Sequence, residues 1–355
     1  MAFDINTKIL TVTDGQSLSA AATLAADVIR HGGLAVFPTE TVYGLGADGT
    51  NAEAAQKIYA AKGRPSDNPL IIHIYDPKDA EPYSVTCSLY YALAEAFMPG
   101  PLTVIMPKKD TVPYSTTGGL DTVAVRCPSH PVAREIIKQA GVPVAAPSAN
   151  LSGKPSPTAA RHCIDDLAGR VDVIIDGGEC DIGLESTIVK IDVDDGGEDY
   201  LTLLRPGAVT CDALRCVCPR VDIARAVSEQ LAQDEKPLSP GMKYKHYAPR
   251  APLVLLDGDG ESILAFLQKR QSECRCAILC YDEEIPHLEN KRLLPVGPRD
   301  DMKTQAHLLF SNLRLADSTD AEIIYAHLPP HTGLGLALYN RMIRAAAHTV
   351  LRLEK

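Results

Sequence analysis

The stretch "KIYAAKGRPSDNPL", Lys57 to Leu70, carries a helix directly into a strand. Asn51 to Ala61, rich in Ala, Glu, Gln and Lys, reads as a helix. Gly63 and Pro65 stop it, and Arg64, ahead of a proline, is pushed into extended backbone. "PLIIHIYD" then reads as an apolar strand. Helix, sharp exit and strand make the unit of an α/β fold. Here the exit holds two cations, Lys62 and Arg64.

The same alternation extends over the first 210 residues. "GGLAVFPT", "LTVIMPK", "TVAVRCP", "VPVAAPSAN", "DVIIDGG", "STIVKID" and "LTLLRPG" read as strands or strand ends. Ser88 to Phe97 reads as a helix, as does "HPVAREIIKQAG", with Pro131 in its first turn and Gly141 past its end. About seven strands and few helices predict a mixed sheet with helical cover. From Thr210 to Arg250 the pattern fades, and "SPGMKYKHYAP", Ser239 to Pro249, is too basic and aromatic for a featureless tether. From Ala251 strands and helices alternate cleanly and close on a long helix, "GLGLALYNRMIRAAAHTVLRL". That predicts a smaller, Rossmann-like parallel α/β domain. Its "DGDG" lacks the G-x-G-x-x-G fingerprint, so no dinucleotide is expected there. The expected division is 1–210, a linker over 211–250, and 251–355.

A chain of 355 residues exceeds one ordinary core, in keeping with two domains. Its net charge of −10 argues against a whole-surface nucleic-acid binder, while a local basic cleft stays compatible with it. No signal-like start and no run of 18 apolar residues is present, so a cytoplasmic protein is expected. The ten cysteines include Cys274, Cys276 and Cys280 but no C-x-x-C pair. Reduced, mostly buried thiols are the expectation, rather than a structural zinc or any metal held by side chains.

There is no P-loop, no G-x-S-x-G elbow and no H-E-x-x-H helix. What the first domain offers is a set of strand-end loops bearing hydroxyls, amides and single cations: "PTETVYGLG", "KGRPSDNP", "TVAVR", "APSANLSGKPSPT", "EST" and "LRPG". Such donors suit a polyphosphate or a carboxylate. Each also has a plainer reading. Lys62 and Arg64 suit a helix C-terminus, and Arg126 suits a surface ion pair. His73 among isoleucines suits a satisfied core histidine, and the Pro, Ser and Asn of "PSAN" suit a turn. Nothing near Cys127 offers a positioned base, so it is not expected to be a nucleophile.

Taken together, "FPTETVYGLG", "KGRPSDNPLIIHI", "PGPLTVIM", "VAVRCPSHP", "PVAAPSANLSGKPSPT", "GLESTIV" and "LRPGAV" resemble the YrdC-type threonylcarbamoyl-AMP synthases in their longer, two-domain form. The K-x-R pair (Lys62, Arg64) and the S-x-N pair (Ser148, Asn150) are intact. The resemblance implies a YrdC-like mixed twisted sheet followed by the smaller parallel domain. It implies an enzyme that makes threonylcarbamoyl-AMP and pyrophosphate from L-threonine, bicarbonate or CO2, and ATP with Mg²⁺. The product serves a downstream transferase complex that modifies tRNA beside the anticodon, with a transient tRNA contact possible and no membrane involved. By the same resemblance Lys62, Arg64, Ser148 and Asn150 are the catalytic group. Asn68, Thr122, Ser156, Arg205 and the linker residue Tyr247 join them around ATP, while Thr41, His73, Arg126, Ala146 and Ser186 hold threonine. Two other readings stay open: a non-catalytic double-stranded RNA-binding module, and a carbamoyl-adenylate-forming enzyme with another acceptor.

Overall fold

The structure, a computed structural model, describes residues 5–229, 237–239 and 246–353. These divide into two compact units. Residues 5–152, 156–181, 185–229 and 237–239 form the first, and 153–155, 182–184 and 246–353 the second.

In chain order the first unit contains β1 (Lys8–Thr11), α1 (Gly15–Arg30), β2 (Ala35–Phe37), β3 (Gly44–Asp48), α2 (Ala52–Lys62) and β4 (Ile71–His73). Next come α3 (Ser88–Phe97), β5 (Leu102–Pro107), α4 (Tyr114–Thr117), β6 (Thr122–Arg126), α5 (Pro131–Ala140) and β7 (Val144–Ala145). It ends with α6 (Ala160–Leu167), β8 (Val173–Asp176), β9 (Thr187–Val193), β10 (Asp199–Arg205), α7 (Cys211–Arg215) and β11 (Val221–Ile223). The sheet is mixed, as expected, but has eleven strands rather than about seven, in the order β1-β8-β2-β3-β7-β4-β6-β5-β9-β10-β11. β3 escapes a reading by composition because it is "GLGAD", poor in β-branched residues. Its Gly46 is dictated by packing, since a Cβ there would sit 2.5 Å from the ring of Phe37 on the paired β2.

The sheet's two faces differ. On one, Ile72, Val104, Met106, Val123 and Val125 pack against the apolar sides of α2 and α3. On the other, α1 and α5 cover the β1, β2 and β8 side through Ala22, Ala25, Ala26, Ile29, Val132 and Ile136. Beyond these helices, the same face over β4, β6, β5, β9 and β10 carries, among the described residues, a small apolar cluster of Ile71, Ile105, Ala124, Ile188 and Leu204 with Ala226.

The second unit contains β12 (Leu253–Asp257), α8 (Gly260–Glu273), β13 (Cys276–Cys280), β14 (Leu293–Pro295), α9 (Met302–Ala316), β15 (Ile323–His327), α10 (Gly335–Ala345) and β16 (Val350–Arg352). Its sheet is fully parallel in the order β14-β13-β15-β12-β16, the Rossmann-like arrangement expected. The long closing helix is shorter than its sequence pattern. It ends at Ala345, Ala347 and His348 turn the chain at φ 47 and 62, and Val350 pairs with Leu255 as part of β16. The β-branched Thr349 and Val350 and an open sheet edge outweigh the helical propensity of the preceding alanines. Among the described residues, no helix is long and apolar enough to cross a membrane.

Candidate active site

Strand register builds a transverse polar row on the face that carries this small cluster. Along β6, Val123 and Val125 enter the main core, so Ala124 and Arg126 point the opposite way. Arg126 lies opposite His73 of β4 and opposite Thr103 of β5. Thr103 lies beside Ile188 of β9, and its hydroxyl is 2.8 Å from that of Ser186. Arg205 completes the row. A β-bulge between Leu203 and Arg205 shifts the register of β10, and Arg205 donates to the Ser186 carbonyl (3.0 Å) and hydroxyl (3.1 Å). Without the bulge Arg205 and Leu204 would face opposite sides. All five polar residues are buried.

Arg126 is the electrostatic centre of this row. Its Nη2 donates to Glu40 Oε1 at 2.7 Å, both side chains are buried, and the second Glu40 oxygen accepts from Ser129 N–H at 3.2 Å. Burial alone would raise the Glu40 carboxyl, but the charge and hydrogen bond of Arg126 outweigh it and hold the group below its ordinary value. Arg126 Nε, by contrast, is buried with no hydrogen-bond partner. His73 donates from Nδ1 to the carbonyls of Ile71 (3.1 Å) and Val144 (3.3 Å). Burial, with Arg126 adding to it, pushes its pKa down to about 3, so the imidazole is neutral. Thr41 is fully buried beside Glu40, its hydroxyl 2.8 Å from that of Thr39.

The opening stretch behaves as its residues require. Asn51 caps α2, and Gly63 ends it in the left-handed conformation at φ 62. Lys62, the last helical residue, is buried, and its ammonium donates to the carbonyls of Ser148 and Asn150 (2.5 Å each) and approaches Asn150 Oδ1 at 3.4 Å. Those contacts engage all three of its donors, so in this structure Lys62 pins the S-x-N loop from beneath. Ser148 donates to Asn150 Oδ1 at 2.6 Å, which closes the loop on itself. Arg64 likewise braces its own turn, donating to the carbonyls of Asn68 (3.3 Å) and Pro69 (3.0 Å). The Asn68 carboxamide oxygen is buried without a partner.

The remaining expected residues lie as follows. Ser156 donates to Glu185 at 2.5 Å, next to Ser186 in the chain. Ala146 is buried with its N–H committed to Ile71 O at 2.9 Å. Thr122 sits at the opposite end of β6 from Arg126, roughly 13 Å away at the usual strand rise, and on the same face. Tyr247 belongs to the second unit, where it adopts φ 63 and packs its ring 5.1 Å from that of Phe310 on α9. Lys243 and Lys245 of the linker lie outside the described residues. Three groups were given no role from the sequence: Glu40, Thr103 and Glu185. A signal existed for Thr103, the one hydroxyl in an otherwise apolar strand. Glu40 stood in a quoted motif, but only the fold brings it to Arg126. Cys127 is buried, its thiol pushed up chiefly by that burial, in line with an inert role.

A buried row of neutral imidazole, guanidinium and hydroxyl groups beside a pinned amide loop can grip a carboxylate and flank phosphates without any covalent nucleophile. Two family models match the chain: Sua5/YciO/YrdC, described as telomere recombination, over residues 27–207, and the threonylcarbamoyl-AMP synthase C-terminal domain over residues 209–347. The threonylcarbamoyl-AMP synthase of Bacillus subtilis is 43% identical over 92% of this chain and 93% of its own. That of Pyrococcus abyssi is 38% identical over 93% and 95%. The solved structure of P. abyssi Sua5 complexed with L-threonine covers 98% of this chain and 100% of its own, with TM-score 0.89 and 37% identity. With both family models matched in sequence and relatives aligned over nine-tenths of each chain, this protein belongs to the threonylcarbamoyl-AMP synthase family.

Proposed function

We propose that the buried row condenses L-threonine, CO2 from bicarbonate, and ATP into threonylcarbamoyl-AMP and pyrophosphate. The observation that carries this reading is the Arg126 Nε–H, a charged donor buried with no acceptor of its own. Leaving such a donor unpaired is costly, and a carboxylate satisfies it. The α-carboxylate of threonine takes that place, with neutral His73, Thr41 and Ser186 around it. The threonine amine adds to CO2, and the resulting carbamate oxygen attacks the α-phosphorus of ATP as the bond to pyrophosphate breaks. Two anions must approach each other, so alignment and charge neutralisation dominate the barrier. Lys62 and Arg64 act mainly by fixing the S-x-N loop and the Asn68 turn while adding positive charge. Ser148, Asn150, Ser156, Arg205, Asn68 and Thr122 supply the nucleotide side.

Mg²⁺ belongs to this reaction as part of the ATP substrate, where it neutralises phosphate charge. Among the described residues no group of three or more His, Cys, Asp or Glu is placed to hold a metal ion. The product is a labile mixed anhydride, so a transferase acting on tRNA must consume it promptly.

The test is pyrophosphate release from ATP with and without L-threonine and bicarbonate, with serine as control. Release should require both co-substrates and fall at least about 100-fold in Lys62→Ala and Arg126→Ala, the scale of losing a buried electrostatic group. Release indifferent to threonine would point to another acceptor. No release, with salt-sensitive RNA binding instead, would favour the RNA-binding reading.

A further inference from the structure

Glu40 is the one carboxylate in hydrogen-bond contact with Arg126 among the described residues, and it uses only part of the guanidinium. It accepts from Nη2, while Nε is left buried without an acceptor. Its other oxygen is held by the Ser129 N–H, the backbone just beyond β6, so the carboxylate is anchored at both ends. The side chain is buried and comes from the loop that also presents Thr39 and Thr41. An anchored carboxylate cannot easily swing aside to yield Arg126 to a competing anion. It can hold the guanidinium at one angle and offset its charge, so that the remaining fork faces a second carboxylate.

We propose that Glu40 is a positioning residue that sets substrate specificity: it orients Arg126 so that the site takes the carboxylate of a free α-amino acid and rejects the same molecule with that charge removed. The inference rests on the functional reading above, in which Arg126 receives the substrate carboxylate. Glu40 itself touches no reacting atom. Its effect passes through Arg126, and through the pull that a second carboxylate would otherwise exert in rotating the guanidinium.

The experiment compares L-threonine with L-threoninamide, which keeps the amine, hydroxyl and methyl but lacks the charged carboxylate. KM and kcat are measured for both, with KM for ATP, in the wild type, Glu40→Gln and Glu40→Asp. Wild-type enzyme should prefer threonine by at least about 100-fold, the scale of a desolvated charge-assisted pair. In Glu40→Gln that preference should fall about tenfold or more. The loss should lie in KM for threonine, with KM for ATP within about twofold, and Glu40→Asp should recover part of it. Glu40→Ala is avoided because it strands a buried guanidinium and endangers folding. A preference unchanged in Glu40→Gln, or equal losses for both substrates and ATP, would overturn the proposal and leave Glu40 a fold-holding residue. Failure of the wild type to release pyrophosphate with threonine and bicarbonate would instead overturn the functional reading.

Discussion

At the scale of single residues, His73 and Glu40 tie stability to acid in the same direction. The folded pKa of His73 is depressed to about 3 from an ordinary 6.5, so between those values the unfolded chain binds the proton and the folded chain does not. Stability is therefore full above about pH 6.5 and is lost as pH falls toward 3. Glu40, also depressed, adds a loss that begins below its ordinary carboxyl range. Urea unfolding between pH 7 and 4.5 should show stability dropping by up to about 1.4 kcal/mol per pH unit for the His73 proton alone. His73→Gln should flatten that slope, and an unaltered slope would assign the proton elsewhere. The sequence made His73 ambiguous, and the structure gives it both parts of its reading: a backbone-satisfied core histidine that also lines the row. Arg126 was legible as a cation closing an apolar strand. Its pairing with Glu40 was not, because 86 residues separate them and nothing local in either stretch reports the other.

Among the elements, those with strong local signals were legible nearly to the residue. The Asn51 cap, the Gly63 stop and the Pro131 start mark α2 and α5 where they occur. Elements decided by packing were not: β3 is glycine-rich, α1 buries a stripe of alanines, and β16 is a strand only because β12 offers an edge. The bulge that aims Arg205 into the row leaves no mark in "LTLLRPG". Backbone conformation gives a paired prediction of opposite sign. Gly63→Ala must hold φ 62 with a Cβ and, though space is open around it, should cost about 1–2 kcal/mol. Ala347→Gly, at φ 47, should gain up to about 1 kcal/mol. Thermal or denaturant midpoints check both, and equal shifts in the same direction would refute the argument. Gly63→Ala should also lower activity beyond its stability cost, because Lys62 and Arg64 flank that turn.

For the whole molecule, an acidic chain places the cations proposed for its site inside. Lys62, Arg64, Arg126 and Arg205 are all buried while the net charge is −10. Buried charges are weakly screened, so KM for threonine should change little between 50 and 300 mM salt, in contrast to an exposed basic groove. On the proposed reading, in which the ion arrives with ATP, removing divalent metal with EDTA should abolish turnover yet leave the unfolding midpoint of the nucleotide-free chain unchanged. A lowered midpoint would reveal a resident structural metal. The row's construction also bears on synthesis of the chain. Its members come from strands that begin at Ile71 and end at Arg205, and they meet only through the alignment of β4, β6, β5, β9 and β10. A ribosome that has released residues 1–180 has therefore made most of the sheet but neither Ser186 nor Arg205 of the row. The row is complete only once β9 and β10 have paired, so its geometry depends on strands among the last of the sheet to be synthesised.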